Sequence, residues 1–146
     1  MPASSGSTWV EHIGVEECWR LLAAEPVGRV GVINDSAPEV YPVNHLVDGH
    51  TLLFRTDPGG VLRAIDRSPA VCFQVDGIDR AAETGWSVLV KGRGVEVIDP
   101  DELDRLAAVP LRYWSIGSKA HWVRIQPREV TGRRIWRGGG LGARSA

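Results

Sequence analysis

The feature that most constrains this chain is a run of short strand-like segments joined by turns, which predicts a meander of antiparallel strands. Val27–Asn34 is β-branched with alternating apolar positions, and Glu39–Val47 and Thr51–Thr56 follow the same period. Asp48–His50 carries the Asp-Gly pair that is typical of tight hairpins. Because the connections are so short, consecutive strands have to pair with each other, and the sequence predicts an antiparallel sheet over residues 27–56.

Four further segments have strand character. Ala70–Ile78 and Gly85–Asp99 predict a fourth and a long fifth strand. Gly92 and Gly94 within the fifth strand indicate a bend or bulge of the kind that a barrel needs. The same alternation marks the last two predicted strands, His121–Pro127 and Glu129–Trp136.

Helical patterns occur in three short segments between these strands. The first begins at Val15 and places Cys18, Trp19 and Leu22 on the same face as Val15. A glycine-opened loop leads into a second short helix before Pro69, and the third begins after Asp99, where a capping residue precedes a proline and two acids. The sequence therefore predicts a small β-barrel, mainly β with two or three short helices.

Composition excludes several classes of protein. The 146 residues suit one domain, and 17 basic against 18 acidic side chains give a net charge of -1, without the positive excess of a general nucleic-acid binder. No apolar run reaches the roughly 20 residues of a membrane helix. Two distant cysteines and four histidines without ligand spacing support neither a disulfide framework nor a metal site. We expect a cytoplasmic protein with a flexible segment 1–14, one domain over 15–136 and a flexible tail 137–146.

The segment Phe54–Arg63 has the features of a phosphate cradle. A strand ends at Arg55 and Thr56, a glycine-rich turn follows, and a helix begins, so that free backbone N–H groups lie at the positive end of the helix dipole. An ordinary strand–turn–helix connection explains the same residues. The motif therefore leaves two interpretations open.

Three other positions are candidates for ligand contacts. Asn44, two residues after a strand proline, offers both a donor and an acceptor, although an edge strand with a polar face is the alternative. Trp86 can stack on a planar ligand or belong to the core. Trp122 and Arg124 share one face of a strand, and that face is available either to a site or to a partner subunit. Since no nucleophile and base occur together in a motif, any enzymatic chemistry is expected to come from a cofactor.

Taken in order, these units resemble the pyridoxamine 5'-phosphate oxidase-like superfamily of FMN-binding split-barrel flavoproteins, and most closely a branch common in actinobacteria. Each motif is short, but the ordered set covers about 120 residues. The matching segments are Glu17–Leu22, Val27–Arg29, Pro42–Asn44, Asp48–Gly49, Phe54–Gly60, Phe73–Asp76, Gly85–Arg93 and Val123–Arg134.

The resemblance implies a six- to seven-stranded antiparallel split β-barrel that forms a homodimer, with FMN at the subunit interface. It implies an FMN-binding flavoprotein that acts as a flavin-dependent oxidoreductase on an unknown small-molecule substrate. The alternatives are a non-catalytic flavin- or haem-binding protein and a deazaflavin-dependent reductase. No metal, nucleic acid or membrane is expected as a partner.

The resemblance also implies which residues contact the cofactor. In the family pattern one segment lines the isoalloxazine ring, a turn meets the phosphate, and a third segment approaches from the other subunit, as do two residues of the last strands. The ring is lined by Pro42, Val43 and Asn44, and the phosphate is met by Arg55, Thr56, Gly60, Val61 and Leu62. The segment from the other subunit is Trp86, Ser87 and Val88, and the two residues of the last strands are Trp122 and Arg124.

Two positions depart from the family pattern. Leu62 stands where many relatives have a lysine that contacts the phosphate, so Arg55 or Arg63 has to compensate. His45 stands where relatives have Phe or Tyr, which would bring a titratable ring near the flavin. The preferred interpretation of His45 is a strand histidine that faces solvent.

Overall fold

The computed structural model describes residues 7–110 and 121–137, and this part of the chain is mainly β. Its seven strands are β1 (Thr8–Ile13), β2 (Val27–Asn34), β3 (Ala37–Asp48), β4 (Thr51–Thr56), β5 (Ala70–Asp79), β6 (Thr84–Glu96) and β7 (His121–Arg137). Its three helices are α1 (Val15–Ala24), α2 (Gly60–Arg67) and α3 (Pro100–Ala107).

The strands close into a barrel because β7 pairs with three other strands, β1, β4 and β6. The sheet runs in the order β1-β7-β4-β3-β2-β5-β6, and β6 pairs back onto β7, every pairing being antiparallel. The first residues of β7 pair with β4 and its last residues pair with β1. The predicted antiparallel split barrel with short helices is confirmed.

The structure differs from the prediction at the two ends of the domain. Residues Thr8–Ile13, predicted to belong to a flexible segment, form β1 along the end of β7. Five of these six residues are exposed, so the strand has no buried face that alternation could reveal. The two predicted strands at the C-terminal end are one strand, since Pro127 is accommodated beside a bulge in β7 itself, where Arg128 is the extra residue. The aromatic loop predicted over 111–119 and most of the predicted tail lie outside the described residues.

Two apolar clusters fill the two sides of the sheet. The larger lies inside the barrel and contains Leu52, Phe54, Phe73 and the buried face of α1. Val15, predicted to join that face, is exposed at the first position of the helix. The smaller cluster lies on the outer side of β4 and β7, where α3 packs through Leu106 onto the sheet. The terms inner face and outer face refer below to these two sides.

The irregularity predicted in the fifth strand occurs at Gly92, although the extra residue of the bulge, Arg128, belongs to β7. The register between β6 and β7 shifts between Lys91 and Gly92, and at this point Gly92 lies opposite Pro127. A bulge increases the local bend of a strand, which a small barrel requires in order to close.

Candidate functional site

The turn between β4 and α2 has the geometry predicted for an anion-binding site. Arg63 is the first residue of α2 whose N–H donates back along the chain, to the Gly59 carbonyl at 3.0 Å. The N–H groups of Gly60, Val61 and Leu62 therefore stand at the helix start without intrahelical partners. A side chain at Gly59 or Gly60 would meet nothing within 4 Å. The turn thus borders open space beside N–H groups that lack intrahelical partners.

Thr56 and Arg55 approach this turn from opposite faces of β4. Thr56 is buried on the inner face, and its hydroxyl donates a long hydrogen bond of 3.3 Å to the Asp57 carbonyl. Arg55 lies on the outer face, where its guanidinium carbon is 5.7 Å from the centre of the Trp122 ring. Consecutive strand residues always diverge in this way. A single phosphate can contact both only beyond the end of the strand, at the turn itself.

The outer face of β3, β4 and β7 brings together several of the other predicted site residues. Arg55 and Trp122 are direct cross-strand partners, and Asn44 lies on the same face of β3 because its neighbours point inward. Asn44 is buried, whereas Pro42 is exposed. Val43 faces the core, so any contact it makes with a ligand comes from its backbone.

Trp122 and Arg124 do not form the open face that the sequence suggested. Trp122 is only 4% exposed and packs with Leu106 of α3 in the outer cluster. Arg124 is held by Glu102 of α3 and donates to Asp48 at 3.0 Å and to Thr51 at 2.6 Å. The expectation that these side chains are available to a partner subunit is therefore wrong for the described chain. Their contact with a cofactor stays a prediction.

His45 is buried, so its interpretation as a solvent-facing histidine is wrong. Its ring is 4% exposed, lies edge-on to Phe73, and has Nε2 at 2.7 Å from the Leu22 carbonyl in the last turn of α1. Nδ1 is buried without a hydrogen-bond partner. Burial lowers the pKa of His45, against smaller upward effects of the Leu22 hydrogen bond and of Glu25.

The segment predicted to come from the other subunit lies far from the turn. Trp86 and Ser87 pair with Arg134 and Arg133 near the end of β7, whereas the phosphate turn lies beside its beginning. Twelve strand residues separate these places, which is roughly 40 Å along the strand. Within one chain the structure therefore does not bring Trp86 and Thr56 onto one ligand. Val88 is fully buried in the core.

One pair of polar side chains near the turn was missed by the sequence analysis. His121, the cross-strand partner of Thr56, has Nδ1 at 2.7 Å from Glu96 Oε1. This carboxylate fixes the orientation of the imidazole and favours a proton on Nδ1. The two residues are 25 positions apart and match no motif, so only the pairing of β6 with β7 reveals them.

Other kinds of site find no support in residues 7–110 and 121–137. Nowhere in these ranges do three His, Cys, Asp or Glu side chains come together as metal ligands would. No helix there is long and apolar enough to span a membrane. Cys18 is buried and Cys72 exposed, and both are free thiols.

Comparison with known proteins identifies the family and agrees with the fold. Residues 14–134 match the family model described as pyridoxamine 5'-phosphate oxidase. An uncharacterized protein of Mycobacterium tuberculosis, Rv0080, is 36% identical over 131 residues, which cover 86% of each chain. Two solved structures are similar over 86% of this chain. An FAD-binding protein of Mycobacterium smegmatis is 34% identical, is covered over 98% of its length and superposes with a TM-score of 0.72. An FAD-binding protein of Mesorhizobium loti is 29% identical, is covered over 97% of its length and superposes with a TM-score of 0.74.

The family match extends from the residue before α1 into the last strand, β7, and therefore includes the β4–α2 turn and the distant Trp86 segment alike. Together with the closed antiparallel barrel and the 36% identical relative, it establishes the family. This chain belongs to the pyridoxamine 5'-phosphate oxidase family.

Proposed function

We propose that this protein is an FMN-binding flavoprotein that acts as a flavin-dependent oxidoreductase on a small molecule. The observation that carries the proposal is the β4–α2 turn, where three N–H groups without intrahelical partners lie beside open space and Thr56 ends the preceding strand. Such a turn suits the phosphate of a flavin nucleotide. The FAD-binding function of two similar structures supports a flavin as the ligand.

The residues around the turn fit an anionic group without the lysine that many relatives carry. Leu62 contributes its backbone N–H, and Arg55 stands on the outer face beside Trp122. A bound flavin supplies hydride transfer at its N5 position. The protein's own part is to hold the phosphate at the helix start and to fix the ring against β3, where Pro42 and Asn44 lie.

We further propose that the working unit is a cytoplasmic homodimer with a cofactor at the interface. The separation of about 40 Å between the two predicted halves of the site supports this, since a second chain is needed to bring Trp86 to the ring. An exposed apolar row on the outer face gives further support. Val10, Ile135 and Ile78 lie side by side across β1, β7 and β5, with Gly85 of β6 between them.

We expect sedimentation equilibrium to give twice the 15.9 kDa of one chain at micromolar concentration. Ile135→Lys should shift the population towards the monomer, because it places a charge in the exposed apolar row. Val40→Lys, on the equally exposed outer surface of β3, is the matched control. A wild-type chain that sediments as a monomer would contradict the proposed interface.

Thr56→Val is expected to weaken FMN binding by about ten- to a hundredfold while leaving riboflavin binding nearly unchanged. The change removes one hydroxyl donor at constant shape, and a hydrogen bond to a charged group contributes roughly 1.5–3 kcal/mol. Thr131→Val, the same change at an exposed position of β7, is the control. Fluorescence titration with both ligands measures the effect, and equal losses for FMN and riboflavin would show that the turn does not bind the phosphate.

The absorption spectrum of the purified protein tests the cofactor itself. Two bands in the near-ultraviolet and blue are expected for a flavin, and reconstitution with FMN and with FAD then distinguishes the two nucleotides. A Soret band would indicate haem, and a single violet band would indicate a deazaflavin. Either of these results would replace the proposal with one of the alternatives that the sequence leaves open.

A further inference from the structure

A groove of about 320 Å³ lies at the end of the barrel away from the phosphate turn, where the β5–β6 hairpin meets the end of β7. Its volume is at the lower end of the range for small-molecule sites. Two indole rings and one guanidinium line it. The residues that form its walls and floor include Gly77, Asp79, Thr84, Trp86, Arg134 and Trp136.

The aromatic and polar side chains of the groove alternate across two strands. Trp86 of β6 is the direct partner of Arg134 on β7, and the same register continued by two residues places Thr84 beside Trp136. All four side chains project from the same face of the sheet. The Arg134 guanidinium carbon lies 5.9 Å from the centre of the Trp136 ring. The guanidinium therefore covers one face of the Trp136 ring, whose N–H donates to Glu11 at 3.3 Å, and the groove presents the Trp86 ring with donors beside it.

Gly77 makes the floor of the groove flat. A Cβ at this position would lie 2.4 Å from Trp86 Nε1 and 2.7 Å from Cε2 of the same ring. Because glycine has no side chain, the Trp86 ring lies directly on the β5 backbone and leaves the space above it open. Any residue larger than glycine would displace the ring.

The carboxylates around the groove already have donors, whereas its donors have capacity left. Asp79 accepts from the Ala82 N–H at 3.0 Å, and Glu17 accepts from one nitrogen of Arg134 at 3.0 Å. A guanidinium has five N–H groups in a planar fork, so most of those on Arg134 remain for a ligand. Thr84 adds a hydroxyl. The groove therefore favours a planar ring whose edge carries hydrogen-bond acceptors.

We propose that this groove binds a planar aromatic carboxylate, with the ring against Trp86 and the carboxylate on Arg134, which lies over Trp136. Arginine matches a carboxylate by its fork geometry, and indoles contribute through stacking. Binding in the groove goes beyond the proposed function. The role of the ligand as the substrate of the flavin rests on that function, because only a dimer would bring Trp86 to the partner's flavin.

Calorimetric titration of the flavin-free full chain with 2-naphthoate tests the binding. Two matched probes separate the contributions: 2-naphthalenemethanol keeps the ring without the carboxylate, and cyclohexanecarboxylate keeps the carboxylate without the ring. We expect 2-naphthoate to bind at least tenfold more tightly than either. Equal affinity for the three molecules, or no binding of 2-naphthoate at millimolar concentration, would overturn the inference.

Variants locate the bound probe. Arg134→Gln should weaken 2-naphthoate at least tenfold and leave 2-naphthalenemethanol unchanged, whereas Trp86→Leu should weaken both. Arg133→Gln is the matched control, since Arg133 is the exposed neighbour on the opposite face of β7. Circular dichroism checks that each variant folds. Where Trp86→Leu does not fold, the Arg134→Gln comparison decides alone, and an unchanged 2-naphthoate affinity in Arg134→Gln would overturn the inference.

Titration in the presence of saturating FMN separates this inference from the proposed function. Unchanged 2-naphthoate affinity beside bound FMN supports a separate substrate site. Loss of 2-naphthoate binding when FMN is added would overturn the substrate role and make the groove part of the flavin site. If FMN does not bind at all and 2-naphthoate binds through Arg134, the proposed function fails while the aromatic carboxylate site stands.

Discussion

Replacing Gly92 with alanine is expected to lower the free energy of unfolding by about 3 kcal/mol or more, which is large for a single added methyl group. A Cβ at Gly92 would lie 2.2 Å from the Gln126 carbonyl oxygen and 3.0 Å from the Pro127 Cα. Both atoms belong to the backbone of β7, so no side-chain rotation relieves the contact. The bulge that closes the barrel would have to open.

Gly94→Ala provides the matched control two residues further along the same strand. There the nearest atoms are side-chain carbons of Ile65 and Val71 at 3.1–3.4 Å, and these can shift by a few tenths of an ångström. We expect a change within about 1 kcal/mol. Urea unfolding of both variants measures the difference, and equal effects would show that β6 and β7 separate more easily at the bulge than this contact implies.

The barrel was predictable from the sequence because its strands bury one face and therefore alternate. Val27–Asn34 shows that alternation, and its predicted bounds agree with β2. Thr8–Ile13 was missed because β1 buries almost nothing, and its place is fixed by hydrogen bonds along the edge of β7. The predicted strands stopped at Pro127, because its tolerance within β7 depends on a bulge at Arg128 that appears only when β7 pairs with the distant β6.

The candidate site was predictable only where its residues are neighbours in the chain. The turn from Thr56 to Leu62 is local, and the free N–H groups of its helix follow from the order of residues alone. The His121–Glu96 pair depends on strand pairing across 25 residues. The groove around Arg134 likewise depends on the meeting of β6 and β7, which no local pattern encodes.

His45 is expected to make the protein less stable as the pH falls below about 6.5, the ordinary pKa of an unfolded histidine. Burial lowers the pKa of His45 in the folded protein, so between the folded and unfolded pKa values only the unfolded chain binds the proton. Stability therefore decreases with acidification in that window, by up to about 1.4 kcal/mol per pH unit. Above it both states hold a neutral ring and the contribution to the pH dependence vanishes.

His45→Phe tests this directly, because phenylalanine keeps a ring against Phe73 and cannot titrate. At pH 7.5 the variant should be less stable by about 1 kcal/mol, since the Leu22 carbonyl loses its partner. Towards pH 5 the deficit should shrink and then reverse. Urea unfolding at several pH values gives both curves, with His12→Gln, at an exposed position of β1, as the control.

Parallel curves for wild type and His45→Phe would contradict the prediction, because they would mean that the buried ring accepts its proton as readily as an unfolded one. The structure argues otherwise. A protonated His45 would carry an N–H at Nδ1, which is buried without an acceptor, while Nε2 is already 2.7 Å from the Leu22 carbonyl. The unpaired N–H would destabilise the contact between β3 and the last turn of α1. We therefore expect α1 to lose its packing against the barrel during acid unfolding.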